Sequence, residues 1–415
     1  MPGDESSVVL CDDVLAEILV RLPAKSVIRC GRVCKRWRRV TADASFVAGH
    51  AVRRREMIVL PRSEPAAVRS MPLYTYPDDP RPEDGPRRFL CDRSERDGRT
   101  LVGWYDLLYS LDGLIVLGQL PFRYVVCDPV RRQSARLPEL PPDPCFSVDP
   151  CGFYRHASSG EYRLLCHCLG KDQLDGAAGV YAIFQRERYF CVLSPSSPAS
   201  RRLPARAPAP THDPQDTTYE VPVAHRGSLH WFSEHPEAHG TGKMLAFHTL
   251  SETFRLMARP PPPERDTSSS RALFELDGKL GVVDLQSGTL SLDVWVLQDY
   301  EAERWALHHR VAQMPPPRCG NVLTVTMAVP MQGSGGVIMM GGPDCGVARL
   351  YNVKERRMHR DVFIGPESLT FLVFSESLVS HAFFQRPRCP VCTHLHKLAL
   401  SLLEDTPDPE ICTHL

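Results

Sequence analysis

The segment that decides the fold of this chain is Leu10–Phe46, which reads LCDDVLAEILVRLPAKSVIRCGRVCKRWRRVTADASF. Its first part carries an apolar stripe at the 3.6-residue period of an α-helix, formed by Val14, Leu15, Ile18, Leu19 and Leu22. Asp12 and Asp13 stand before the stripe, where we expect them to cap the helix and to place negative charge at its positive end. Pro23 is expected to end this helix.

Two further short helices are predicted in the rest of the segment. Lys25 to Cys30 forms the second, and Val33, Cys34 and Trp37 line the third at helical spacing. Three helices of this size cannot bury all of their apolar surface against one another. The exposed remainder predicts a docking face.

This segment resembles the F-box, the adaptor-binding module of cullin-type ubiquitin ligases. The positions that match the F-box pattern are Leu10, Asp13, Val14, Leu15, Glu17, Ile18, Leu19, Arg21, Leu22, Pro23, Lys25, Ser26, Val27, Arg29, Cys30, Val33, Cys34, Lys35 and Trp37. An ordinary amphipathic helical hairpin is the alternative, but periodicity alone does not fix Pro23, Cys30 and Trp37 together.

Three positions depart from the F-box pattern. Cys11 replaces a proline, Gly31 replaces Lys or Arg, and Ala44 stands where Asp-Pro-x-Phe is usual. These changes leave the apolar stripe intact and bear on local stiffness and affinity. The resemblance implies that a Skp-type adaptor binds a face formed or supported by Leu10, Val14, Leu15, Ile18, Leu19, Leu22, Pro23, Val27 and Trp37.

The charge of the chain is balanced overall but uneven along its length. Lys plus Arg equals Asp plus Glu at 49 each, which argues against a polyanionic partner of the whole chain. Between Arg21 and Arg55, however, eleven basic residues face one acid, Asp43. Such a run is typical of a nuclear address or a nucleic-acid patch. We favour a solvated helical face, because Trp37 and Phe46 are the only aromatic residues there for base stacking.

The cysteines and the N-terminus indicate the compartment. The 15 cysteines are odd in number and irregularly spaced, and the first ten residues carry Asp4 and Glu5 and lack an apolar segment. We therefore expect reduced thiols and a cytoplasmic and/or nuclear location, with no membrane contact.

A repeat follows after residue 100. Two strand-like runs joined by a polar turn recur five times, with a mean step of (351 − 127)/4 = 56 residues. The equivalent positions are Cys127, Cys191, Phe247, Trp295 and Tyr351. Hairpins with glycine at the turn lie between the copies, at Leu111-DGLIVL, Ala224-HRGSLHWF and Leu276-DGKLGVV. A four-stranded unit at this period predicts a β-propeller blade, and an open pair of β-sandwiches is the alternative.

The predicted fold class is therefore α+β by domain, with a small three-helix F-box and a large all-β propeller-like domain of about six blades. The last blade is expected to close when Met57–Leu60 or the Leu101–Leu108 run joins the late strands Leu369–Phe374 and Leu378–Phe384. The predicted domains are the F-box (1–50), a connector with a possible first strand (51–100), the propeller-like domain (101–385) and a C-terminal tail (386–415).

The β segments also resemble the F-box-associated domain that follows the F-box in a large plant family, from about residue 109 to 310. The matching elements are Asp112-GLIV, Cys127-DPVRRQSARLP, Asp149-PCGFYRHASSGEYRLL, Gly227-SLHW, Phe247-HTLSETF, Leu276-DGKLGVV and Trp295-VL. Asp128 in place of asparagine and His248 in place of aspartate are mild departures. The order of these elements after an F-box carries the resemblance.

No catalytic set is recognised in the sequence. It contains neither a phosphate-binding G-x-x-x-x-G-K-[ST] loop nor a Gly-x-Ser-x-Gly elbow. His230 is expected to be a satisfied core or rim histidine. The weak metal candidates are Cys389, Cys392, His394 and His396, whose C-x-x-C spacing suits zinc but lacks a second standard pair. We favour a metal-free tail and expect no cofactor.

Three functions are compatible with these features. The leading one is a non-catalytic substrate-recognition subunit of an SCF-type cullin-RING ubiquitin ligase, in which the F-box binds the adaptor and the β domain binds an unidentified target protein. A nuclear or nucleic-acid-associated regulatory protein that uses the Arg21–Arg55 run is the second. A propeller enzyme or lectin is the third.

Overall fold

The computed structural model describes residues 10–53, 56–61, 67–72, 87–91, 105–119, 122–131, 133–140, 145–170, 188–204, 221–232, 243–261, 269–286, 291–312, 327–330, 336–341, 347–363 and 372–385. Its N-terminal part is helical, and the rest consists mainly of β-strands. Among the described residues, no helix is long and apolar enough to cross a membrane.

Residues 10–53 form a helical module of four helices, where three were predicted. The helices are α1 (Asp12–Leu19), α2 (Ala24–Cys30), α3 (Lys35–Ala42) and α4 (Ala44–Val52). The additional helix begins at Asp43, whose side chain accepts hydrogen bonds from the N–H groups of Ser45 (2.8 Å) and Phe46 (3.3 Å). Phe46 and His50, one turn apart, are buried, so α4 is held by packing as well as by its cap.

The ends of α1 also differ from the prediction. Cys11 is the N-cap residue, and Asp12 and Asp13 lie in the first helical turn, where they still face the positive end of the helix. The helix ends at Leu19, and Pro23 instead precedes α2 as its N-cap residue. Proline suits this place because the first helical positions leave their N–H groups without intrahelical partners.

The helical module has its own apolar core and polar ties. The core consists of Leu15, Leu19, Val27, Val40 and Phe46. Asp12 of α1 forms ion pairs with Arg36 (2.6 Å) and Arg39 (2.8 Å) of α3. These contacts fix α1 against α3, and among the described residues none covers the side of α1 that carries Val14 and Ile18.

The β part comprises six four-stranded antiparallel sheets. Sheet 1 contains β1 (Glu56–Pro61), β2 (Ala67–Pro72), β3 (Arg87–Cys91) and β24 (Leu372–Ser375). Sheet 2 contains β4 (Tyr105–Leu111), β5 (Leu114–Gln119), β6 (Arg123–Asp128) and β7 (Gln133–Arg136). Sheet 3 contains β8 (Cys145–Arg155), β9 (Tyr162–Gly170), β10 (Arg188–Leu193) and β11 (Arg201–Arg202).

The remaining three sheets follow the same order along the chain. Sheet 4 contains β12 (Val223–His225), β13 (Ser228–Trp231), β14 (Lys243–His248) and β15 (Thr253–Ala258). Sheet 5 contains β16 (Ser269–Leu276), β17 (Lys279–Gln286), β18 (Ser291–Asp299) and β19 (Arg304–Val311). Sheet 6 contains β20 (Met327–Pro330), β21 (Val337–Gly341), β22 (Val347–Asn352) and β23 (Arg357–Phe363).

The sheets stack as propeller blades do. The first strands of successive sheets contact one another, as in the pairs β24–β4, β4–β8, β12–β16 and β16–β20. Apolar layers fill the space between neighbouring sheets, with one cluster between sheets 2 and 3, one across sheets 3 to 5 and one between sheets 5 and 6. The predicted propeller fold is confirmed, and the five repeat copies are the third and fourth strands of sheets 2 to 6.

Sheet 1 is the composite blade that closes the propeller. β24 pairs with β1, with Phe374 opposite Met57 and Ser375 opposite Glu56. Of the two closures considered, the one through Met57–Leu60 is therefore correct. The described part of the Leu101–Leu108 run, Tyr105–Leu108, does not close the ring, because it belongs to β4, which pairs with β5 inside sheet 2. Leu378–Phe384 is not a strand either, since it ends in a 3₁₀ turn at Ala382–Gln385.

The range 51–100, predicted as a connector with one possible strand, supplies β1, β2 and β3 of this sheet. Sequence patterns did not reveal β2 and β3, because the range has a low apolar content and its strands are short and separated by polar segments. The predicted tail, residues 386–415, lies outside the described residues.

The two edges of the propeller differ. Tight turns join the first two strands of several sheets, at Asp112-Gly113, Arg226-Gly227 and Asp277-Gly278, and all six residues have positive φ. This is the geometry of a two-residue type I′ hairpin, and it confirms the predicted glycine turns. At the opposite edge, the end of β9 at Gly170 and the start of β10 at Arg188 are separated by 17 residues of sequence, which lie outside the described residues. The start of β1 and the end of β24 lie side by side, because Glu56 pairs with Ser375, and they lie at the tight-turn edge, because Ser377 is in contact with Gly113.

Candidate functional site

The nine residues predicted to form or support an adaptor-binding face divide into three groups. Leu10, Val14 and Ile18 are exposed at 42%, 45% and 47% of their surface. Leu15, Leu19 and Val27 are buried in the core of the helical module, and Leu22, Pro23 and Trp37 are partly buried. Exposed β-branched and leucine side chains on one side of a helix are unfavourable in water unless a partner covers them. We call Leu10, Val14 and Ile18 the α1 face.

The surroundings of the α1 face combine apolar surface with charge. A shallow concavity is lined by Asp13, Val14, Glu17, Ile18 and Arg21. Arg21 pairs with Glu17 across one helical turn at 3.4 Å, and both side chains are exposed. An apolar centre with a charged rim is the usual composition of a protein–protein interface.

Two exposed apolar residues of the module, Val33 and Val52, were not among the predicted face. Val33, which was expected to line the third helix, lies in the turn before α3 and is exposed at 67%. The following residue, Cys34, is the N-cap of α3, and its sulfur accepts from the N–H of Trp37 at 3.5 Å. Because α3 begins after Cys34, Val33 lies outside the helix that it was predicted to line.

Part of the basic run is engaged within the helical module. Arg36 and Arg39 hydrogen-bond to Asp12 and thereby lower the pKa of its carboxyl. Arg21 is paired with Glu17. These guanidinium groups tie helices together or balance neighbouring acids, which is the behaviour expected of a solvated helical face.

The helical module is joined to the propeller by a continuous apolar cluster. Ala24 and Ile28 of α2 pack with residues of sheets 1 and 2, namely Ile115, Leu117, Val125, Cys127, Val130 and Phe374. Leu378 packs against this cluster and also against the core of the helical module. The two parts of the chain therefore share buried surface.

Residues 376–381, which we call the clasp segment, run along this seam. Glu376 accepts a hydrogen bond from the backbone N–H of Ala24 at 2.7 Å. Arg131 donates to the carbonyl oxygens of Ser377 (3.3 Å), Leu378 and Val379 (2.8 Å). A Cβ on Gly113 would overlap the Cβ of Ser377, so the glycine of this turn is required for close approach as well as for its positive φ.

Asp128 binds Arg131 through its carboxylate. Its carboxylate accepts from the Arg131 backbone N–H at 2.9 Å and lies 3.5 Å from the guanidinium. Burial raises the pKa of Asp128, and the hydrogen bonds and charge of Arg131 oppose that shift. The aspartate that replaces asparagine at this position thus places a carboxylate next to Arg131, whose guanidinium binds three carbonyl oxygens.

A second polar cluster joins sheets 3 and 4. Glu252 accepts from the hydroxyl of Tyr154 (2.8 Å), from Arg163 (2.7 Å) and from Arg201. Burial opposes ionisation of Glu252, but the hydrogen bonds from Arg201, Tyr154 and Arg163 lower the pKa of its carboxyl. Sequence reasoning missed this cluster because its members are far apart along the chain.

The other sequence candidates fall as follows. His230 is buried, and its ring nitrogens lie 3.2 Å from the Val223 carbonyl and 2.9 Å from the Tyr300 hydroxyl. Burial lowers the pKa of His230 to about 4, so it is the satisfied core histidine that was expected. Within the described ranges, no three His, Cys, Asp or Glu side chains are grouped to hold a metal ion. Cys389, Cys392, His394 and His396 lie outside those ranges.

Comparison with known families and proteins agrees with this architecture. The model of the F-box domain matches residues 9–47, and the model of the F-box associated beta propeller domain matches residues 93–384. F-box protein At5g49610 of Arabidopsis thaliana is 23% identical over 306 residues, which cover 71% of this chain and 77% of that protein. Putative F-box/kelch-repeat protein At1g13200 of the same plant is 23% identical over 325 residues, covering 70% of each chain.

One similarity to a solved structure is distant. A chain of the nidogen/laminin complex is 10% identical and aligns with a TM-score of 0.39, covering 74% of this chain and 92% of that one.

Proposed function

Because the chain belongs to the family of F-box proteins that carry an F-box-associated β-propeller domain, we propose that it is the substrate receptor of an SCF-type cullin–RING ubiquitin ligase. In this role the helical module binds a Skp-type adaptor, which connects it to the cullin and RING subunits. The propeller binds a target protein. The observation that carries the proposal is the exposed α1 face on a module whose core is otherwise filled.

The receptor acts by position and forms no covalent bond with its target. It holds a lysine of the target near the ubiquitin-charged conjugating enzyme, which raises the effective concentration of the two reactants. The chain itself supplies no nucleophile or general base in this mechanism.

The target is proposed to bind at the edge of the propeller opposite the tight turns. The chain passes between the helical module and sheet 1 at the tight-turn edge, where Glu56 pairs with Ser375. We place the target at the opposite edge because binding residues occur preferentially on long connecting segments, and 17 residues of sequence separate the end of β9 from the start of β10 at that edge. An adaptor on α1 and a target at that edge are therefore bound at separate places on the receptor. The proposed location is the cytoplasm and/or the nucleus.

Reconstitution tests the proposal. Purified full-length chain is added to a Skp-type adaptor, a neddylated cullin with its RING subunit, the activating and conjugating enzymes, ubiquitin and ATP. We expect co-elution of the chain with the adaptor–cullin complex and ubiquitin transfer to the receptor itself. Absence of the chain from the adaptor complex would reject the proposal. Co-elution without transfer would restrict it to adaptor binding.

A further inference from the structure

A cleft lies at the seam between the helical module and the propeller, on a different side of the module from the α1 face. Its volume is about 370 Å³, and its walls are formed by α2, α3, α4, Arg131 and the clasp segment. Val14 and Ile18 do not line it. Pockets of roughly 300–1,000 Å³ are typical of sites for small molecules. We call this space the seam cleft.

Gly31 keeps one end of the seam cleft open. The F-box pattern has Lys or Arg at this position, whereas glycine has no side chain. A Cβ placed there would lie 2.8 Å from Thr41 Oγ1, so any larger residue would occupy space at this end or push Thr41 aside. Gly31 therefore leaves a concave surface at a position where the F-box pattern would place a long basic side chain.

The walls of the seam cleft are held by contacts on both sides. Leu378 lines the cleft and packs against the apolar cluster at the seam and against the core of the module. Arg131, which forms part of the opposite wall, is fixed by three carbonyls of the clasp segment and by Asp128. The cleft is thus preformed between packed elements, which lowers the ordering cost of binding.

The lining of the seam cleft combines an apolar floor with a basic rim. Its apolar residues are Val27, Ile28, Ala42, Val47 and Leu378. The rim carries Arg32 and Arg38, both exposed, and none of the described lining residues is Asp or Glu. Arg38 Nε donates to the carbonyl of Gly31 at 3.4 Å, which holds its guanidinium beside the cleft. The charge of Arg131 is balanced by Asp128, so the positive potential of the rim comes from Arg32 and Arg38.

We propose that the seam cleft binds a small amphipathic anion, an apolar ring or short chain that carries one carboxylate, sulfonate or phosphate group. The apolar body would lie against the partly exposed Ile28, Val47 and Leu378, and the anionic group would face Arg32 and Arg38. Guanidinium groups suit this role because they form charge-assisted, often bidentate hydrogen bonds with such anions. This site is distinct from the proposed adaptor and target sites, and a bound ligand would contact both the module and the propeller.

A fluorescent probe tests the proposal on the full chain. The probe is 8-anilinonaphthalene-1-sulfonate, an apolar body with one sulfonate, and its neutral analogue is N-phenyl-1-naphthylamine. We expect saturable binding of one sulfonate probe per chain and roughly tenfold weaker binding of the neutral analogue, because the charge-assisted contact is lost. Arg32→Ala with Arg38→Ala should weaken the binding of the sulfonate probe to a similar extent. Ala42→Trp, at an exposed position on the lining, should abolish its binding.

Three controls identify the site. Arg53→Ala with Arg357→Ala removes the same charge from exposed positions outside the cleft and should leave binding unchanged. Arg32→Lys with Arg38→Lys should retain most of it. Val14→Ser with Ile18→Ser removes apolar surface from the α1 face and should also leave probe binding unchanged. An unfolding curve of each variant verifies its fold.

Three results would overturn the proposal. They are absence of saturable binding, equal affinity for the neutral analogue, and a signal that falls in the α1-face variant while surviving Ala42→Trp and the double arginine-to-alanine variant.

Discussion

Glu376, immediately after the last strand of the propeller, accepts a hydrogen bond from the backbone N–H of Ala24 at the start of α2 at 2.7 Å. The bond joins residues 352 positions apart in the sequence. The same short region therefore closes the propeller through β24 and docks the helical module through the clasp segment. Folding of the module and closure of the ring are expected to be coupled.

Replacing Glu376 by alanine tests this coupling. The first N–H groups of a helix have no intrahelical partner, and loss of a capping side chain costs about 0.5–2 kcal/mol. We expect Glu376→Ala to lower the free energy of unfolding by about 1 kcal/mol in urea denaturation. Glu376→Gln keeps an acceptor oxygen and serves as the control. Equal stability of the alanine variant and wild type would show that the bond contributes nothing to docking.

The Glu252 cluster predicts a dependence of stability on pH. The pKa of Glu252 is lowered in the folded chain relative to its ordinary value of 4.5. Folding is therefore stabilised by its ionised form above that value, and this contribution is lost as the pH falls through the folded-state pKa. Glu252→Gln should be less stable than wild type at pH 6, and the difference should shrink as the pH falls below 4.5. The measurement is urea unfolding from pH 3 to 7, and a constant difference would contradict the assignment.

Two C-terminal truncations separate closure from the tail. Ending the chain at residue 386 removes the tail with Cys389, Cys392, His394 and His396, and we expect adaptor binding to persist and stability to change modestly. Ending it at residue 371 removes β24, including the buried Phe374, and exposes the edge of β1. We expect this shorter chain to unfold or aggregate, because an unpaired edge strand recruits other strands. Equal thermal stability of the two truncations would show that β24 does not close the ring.

The tail truncation also bears on zinc. We expect that a chelator does not unfold the full chain, whereas a structural zinc domain loses its fold with its metal. Stoichiometric zinc in the purified protein, lost on Cys389→Ser together with Cys392→Ser, would contradict a metal-free tail.

Local patterns in the sequence predicted the elements whose determinants are close along the chain. The apolar stripe gave α1, and glycine at Gly113, Gly227 and Gly278 located hairpin turns with positive φ. The same local view missed α4. Its cap, Asp43, lies in a segment that departs from the F-box pattern at Ala44, although its carboxylate still accepts from two N–H groups.

Contacts between distant residues could not be predicted in this way. The approach of Arg131 to residues 377–379 and that of Glu252 to Tyr154 depend on how the sheets are arranged around the ring. Residue types alone indicate that buried charges need partners, but they do not say which partners the topology brings near. The exposure of Val14 and Ile18 beside the buried Leu15 and Leu19, in contrast, follows from helical geometry once one side of α1 is packed.

The adaptor affinity of an α1-face variant tests the central claim most directly. Val14→Asp with Ile18→Asp places two charges on the exposed face without touching the core. Val52→Asp is the matched control, because Val52 is an apolar residue of α4 that is exposed at 87% and lies away from that face. Binding of each full-length variant to a purified Skp-type adaptor is measured by isothermal titration calorimetry. We predict one-to-one binding by wild type and by Val52→Asp, and a loss of more than about tenfold in the double variant. Wild-type affinity in a folded Val14→Asp, Ile18→Asp chain would contradict the account.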